Sequence, residues 1–71
     1  MRRAILEALK ARYEAEIAEA DATANIYLEN SVGIGEHPQH IDEVNKQIEK
    51  IATAREKLEV LEQFEPEKAV L

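Results

Sequence analysis

Helix breakers are confined to one short stretch of this chain, and that confinement limits what it can fold into. Gly33 and Gly35 are its only glycines, Pro38 follows three positions later, and the one other proline is Pro66. On either side run long segments rich in Ala, Glu, Leu, Lys and Arg, the strong helix formers. The chain therefore reads as all-α. The expected fold is a two-helix antiparallel hairpin forming a single domain over residues 1–71. Its parts are a helix at 2–32, a turn at 33–37, a helix at 38–64 and a tail at 65–71. At 1.5 Å per residue the two helices would run about 45 and about 40 Å.

The break has suitable chemistry at both edges. Gly33 fits the left-handed residue that closes a helix, because it lacks the Cβ that clashes there. Ile34 would then pack back toward Leu28. Pro38 fits the first helical position, where its missing N–H is no loss and its φ is already set. Asp42 and Glu43 follow closely, where negative charge favours the start of a helix, and Pro66 stops the second helix. A phosphate cradle built on Gly33-x-Gly35 is not expected. Such loops follow a strand, whereas here a helix precedes and no strand pattern exists.

On a helical wheel the apolar residues of the first helix fall into two sets. Leu6, Leu9, Tyr13, Ile17, Ala20, Ala24 and Leu28 follow steps of three and four in an eleven-residue rhythm, close to the period of a straight helix. Nearly opposite lie Ala4, Ala8, Ala11, Ala15, Ala18 and Ala22, continued by Ile26. The second helix carries a heptad seam of Ile41, Val44, Ile48 and Ile51, interrupted by Arg55 and resumed at Leu58. Val60, Leu61 and Phe64 spread the apolar surface near its end. The seam is expected to pack on the bulky set of the first helix, which leaves the alanine stripe and the Val60/Phe64 flank without a partner. The stripe reads either as helix-forming residues on a wet surface or as a second interface where two backbones approach closely. Tyr13 and Tyr27 read as aromatics at the edge of the core, with wet hydroxyls. Arg55, Asn25 and Asn45 are candidates for fixing register and partner number. Arg55 could equally snorkel to the edge of the seam.

Size makes association the expectation. The chain has 71 residues and no cysteine, so no disulfide staples it. Two helices sharing one seam bury each large side chain on one side only. A homo-oligomer is therefore expected: two antiparallel hairpins related by a two-fold axis, in a four-helix bundle or a larger helical oligomer.

Other classes fall away on composition. Fifteen acids against nine Lys and Arg give a formal charge of −6. With Arg2, Arg3, Lys10 and Arg12 scattered around a helix, a nucleic-acid partner is not expected. No stretch is apolar enough to span a membrane. The Met1-Arg2-Arg3-Ala4-Ile5-Leu6 start is broken by Glu7, Lys10, Arg12 and Glu14, so an export signal is not expected, and a cytoplasmic location is. Catalysis is not expected either. Ser31 is the only serine, and the carboxylates offer many pairs but no pocket that would shift a pKa. One cluster is a candidate ligand set. Glu36, His37, His40 and Asp42 crowd the start of the second helix, where two histidines three apart could share a metal ion. The competing reading is a polar loop with His37 capping the helix. No cofactor is expected.

Tyr27-Leu28-Glu29-Asn30-Ser31-Val32-Gly33-Ile34-Gly35-Glu36-His37-Pro38, with Ile48-Glu49-Lys50-Ile51-Ala52 and Lys57-Leu58-Glu59-Val60-Leu61-Glu62, resembles small helical proteins of tailed phages. The likeness is especially to those of T4-like phages of marine bacteria and cyanobacteria. The likeness covers roughly the last two-thirds of the chain, and Val-Gly-Ile-Gly-Glu-His is its specific part. Relatives often carry Pro at the position of Ser31. The resemblance implies phage origin and action inside a bacterial cell, and brings no activity or catalytic residue. Together with the pattern of apolar residues it points to a non-enzymatic hairpin acting through protein–protein contacts. A phage structural or assembly accessory, or a modulator of a host protein, would fit. The alternative is a metal- or ligand-binding module at the hairpin tip.

Overall fold

The computed structural model describes residues 1–29 and 37–65. Two α-helices account for nearly all of them: α1, Arg2–Glu29, and α2, His37–Glu62. At 1.5 Å per residue these are rods of about 42 and about 39 Å. They lie antiparallel. The Arg2 guanidinium donates to the Phe64 carbonyl, Lys57 sits over the Tyr13 ring, and the rings of Tyr27 and His40 meet, so the start of one helix faces the end of the other. The molecule measures 53 × 20 × 13 Å, one helix thick in its narrowest dimension.

The helix ends follow from where the free backbone groups go. Ile5 N–H donates to the Met1 carbonyl at 3.1 Å, which opens α1. α2 closes by tightening: Gln63, Phe64 and Glu65 donate to carbonyls three residues back, at 3.0, 3.0 and 3.1 Å. Those shorter loops satisfy the last carbonyls and end the α-helix at Glu62 rather than at the expected position 64. α2 also starts one residue earlier than expected, at His37, with Pro38 in the first turn, where proline is tolerated. No acid therefore lies in the first turn of either helix. Asp42 sits in the second turn of α2, too far along to gain from the helix dipole. The expectations on Gly33, Gly35, Ile34 and the tail from Pro66 onward lie outside the described residues.

Most of the seam is as expected on α1 and shifted on α2. From α1, Leu6, Leu9, Tyr13 and Ile17 are half-buried, and Ala20 and Ala24 are buried. The last turn uses Tyr27 rather than Leu28, which is 63% exposed. From α2, Val44, Ile51, Leu58 and Leu61 face inward as expected. Ile41 and Ile48 do not: they are 69% and 55% exposed. Their expected places are taken by His40, Gln47 and Ala54, each one residue earlier in the heptad, in a row that Leu61 continues.

The reason lies in what each choice would bury. A seam through Ile41 and Ile48 would carry Arg55 inward one heptad later, and an unpaired buried guanidinium is costly. Rotating α2 by one position leaves Arg55 exposed and inserts Ala54, which is 1% exposed, beside buried Leu61. Ala20, also 1% exposed, is a second small buried side chain, on α1. The consequence is a thin interior, with no large side chain fully buried among the described residues.

Candidate protein-contact surface

Among the described residues two apolar grooves mark the surface, one toward each end of the hairpin and on opposite sides of the seam. The first, of about 440 Å³, lies at the turn-proximal end between Leu28, Ile41 and Ile48, with Tyr27 and Val44 as its floor. The second, of about 450 Å³, lies at the open end, where Val60 and Phe64 stand beside Leu6, Leu9 and Tyr13. Ile48 and Val60 are twelve positions apart in α2. At about 100° per residue they therefore point about 120° apart, one on each side of the seam.

Charge separates the two grooves. Among the described residues no Asp, Glu, Lys or Arg lines the first, where polar groups come from His40 and Asn45. Glu56 and Lys57 edge the second, and the Lys57 ammonium lies 5.4 Å from the centre of the Tyr13 ring in a cation–π contact. Between them a polar channel brings Glu16 and Glu19 of α1 opposite Lys46, Lys50 and Lys57 of α2. Glu49 of α2 lines the same channel, so charges of both signs share it.

Two surface ion pairs among the described residues are local. Arg3 meets Glu7 at 3.4 Å across one turn, and Lys46 meets Glu43 at 3.0 Å. Hydrogen bonding to the Glu43 carboxylate, and then its negative charge, hold the Lys46 ammonium above the ordinary lysine range. A raised lysine pKa contributes fully below the ordinary lysine pKa and is lost as pH rises through the folded value. Near neutrality this pair therefore contributes in full and adds no pH dependence, and on a fully exposed lysine that contribution is small. Thr23 and Asn25 turn back onto their own helix, donating to the carbonyls of Glu19 at 2.9 Å and Asp21 at 3.0 Å. Asn25, Asn45 and Arg55 are all exposed, so none fixes register within the hairpin. Gln47 is the buried polar residue of the described seam. Its seven-residue spacing from His40 and Ala54 was a signal that apolar patterning alone passes over.

Of the candidate tip cluster, the two described side chains, His40 and Asp42, do not converge. His40 turns inward, its ring 5.8 Å from that of Tyr27 at an interplanar angle of 60°. Asp42, two residues on, is exposed about 160° away around α2. Among the described residues no three His, Asp or Glu side chains come together. Glu36 and the His37 side chain lie outside them. The alanine stripe of Ala4, Ala8, Ala11, Ala15, Ala18 and Ala22 is exposed along its whole length. No described helix is long and apolar enough to cross a membrane. No family model, curated protein or solved structure matches the chain.

Proposed function

We propose that this chain is a non-enzymatic helical hairpin that self-associates and acts through protein–protein contacts. One observation carries the proposal: no large side chain is fully buried among the described residues, while Leu28, Ile41, Ile48, Val60 and Phe64 stand exposed. Burying such side chains is the main favourable term in folding and association, at about 25 cal/mol per Å². A four-helix bundle of two hairpins would give each helix two neighbours instead of one. The likeness around Val32 to Pro38 supports a phage-encoded chain working in the cytoplasm of a bacterial host, as a structural or assembly accessory or as a modulator of a host protein. Sedimentation equilibrium across a wide concentration range tests the association. The expected result is a mass of twice 8.0 kDa that falls toward the monomer on dilution. A rigid monomer with a cooperative melt at every concentration would overturn it. Capture from infected cells then addresses a further partner.

A further inference from the structure

We infer that the uncharged groove at the turn-proximal end, between Leu28, Ile41 and Ile48, is the surface on which a second copy of this chain docks, the two hairpins overlapping in opposite directions about a two-fold axis. The inference rests on the self-association proposed above and adds which face is used and which way the copies run.

Area argues for a copy as the occupant. The chain exposes 5698 Å², whereas a compact monomer of 8.0 kDa exposes about 4,450 Å², an excess of about 1,250 Å². Its radius of gyration is 16.4 Å, against about 11 Å for a compact chain of this length. Each subunit of an obligate homodimer loses about 1,000–2,500 Å² at its interface, so one further copy accounts for the excess.

Helix patterning says where. Ile41 and Ile48 are one heptad apart, and Val44 and Ile51 lie between and beyond them on the inward side. α2 is therefore apolar over an arc wide enough for two neighbours, and α1 covers only one side of it. Leu28 extends the same strip onto α1. Three other grooves on the hairpin each carry charged side chains: Glu43 and Lys46 in one, Glu16 and Lys50 in the next, Glu56 and Lys57 in the third. The uncharged groove gives a charged partner nothing to pair with. An identical aliphatic ridge fits it by two-fold self-complementarity.

The end of the strip sets the direction. The next heptad step after Ile48 is the exposed Arg55. Hairpins laid in the same direction would bring the two Arg55 side chains to the same level along the interface. Laid in opposite directions about an axis near Val44 and Asn45, the copies place Ile41 of each beside Ile48 of the other, and Arg55 falls outside the overlap.

The test has three arms. In sedimentation equilibrium, Ile41→Gln/Ile48→Gln is expected to raise the dimer Kd at least about 100-fold, because both copies lose both side chains. Gln is a good helix former, so helicity by circular dichroism should persist. Val60→Gln/Phe64→Gln, on the other side of the seam, should leave Kd within about threefold. In the otherwise native chain, Asn45→Cys is expected to oxidise to a disulfide-linked dimer and Arg55→Cys to stay monomeric on a denaturing gel. This arm holds even if the glutamine variant unfolds. Raising salt should tighten the native dimer, since two bodies of charge −6 repel and screening relieves that repulsion. A native dimer unaffected by Ile41→Gln/Ile48→Gln would overturn the face while leaving self-association intact. Equal cross-linking of Arg55→Cys and Asn45→Cys would overturn the opposed direction, and weakening with salt would overturn an uncharged contact. A chain monomeric throughout would assign the strip to another helix and overturn both proposals.

Discussion

Two alanines are the most deeply buried of the described residues. Ala20 and Ala54, on different helices, are each 1% exposed, which leaves little room for a larger side chain at either place. Ala54→Leu is therefore expected to destabilise the folded chain by about 1–3 kcal/mol through overpacking. Ala18→Leu, on the exposed stripe of α1, should change stability by under about 0.5 kcal/mol. Urea denaturation at one fixed protein concentration compares them directly. His40 belongs to the same packed layer system through its contact with Tyr27. Zinc added to the purified chain is accordingly expected to leave the melting temperature unchanged, and a rise would return the tip to consideration as a metal site. Which alanines would be buried was half legible. Ala20 and Ala24 followed from the rhythm of the bulky set on α1, whereas Ala54 carries no hydrophobic signal strong enough to stand out beside Ile48 and Ile51.

Helix by helix, the existence and direction of α1 and α2 could be read directly, because glycine and proline are concentrated where the chain turns. The phase of α2 could not. Its apolar arc is broader than one contact, so a seam through Ile41 and Ile48 and a seam through Gln47, Ala54 and Leu61 share the same central row of Val44, Ile51 and Leu58. What decides between them is a charge: Arg55 belongs to the first row and has to remain wet. Arg55→Leu removes that constraint. Because Arg55 falls outside the overlap of opposed copies, this variant is expected to leave the dimer Kd within about threefold by sedimentation. A tightening of about tenfold or more would place position 55 inside the contact and count against the opposed direction.

At the scale of the whole molecule, length without breadth is the governing fact. A body 53 × 20 × 13 Å has little interior whatever its sequence, since nearly every residue is within one side chain of water. If copies unite, unfolding is linked to dissociation, so the melting temperature should climb steadily as the protein is concentrated. A melting temperature independent of concentration over a hundredfold range would count against assembly.

The shallow interior also has a calorimetric signature. The heat-capacity increment of unfolding tracks newly hydrated apolar surface and is about 12–15 cal/mol/K per residue for ordinary domains. Where the innermost groups are alanine methyls, that increment should fall short of the ordinary range in dilute solution. The free-energy curve then flattens, the endotherm broadens, and cooling erodes the fold very little.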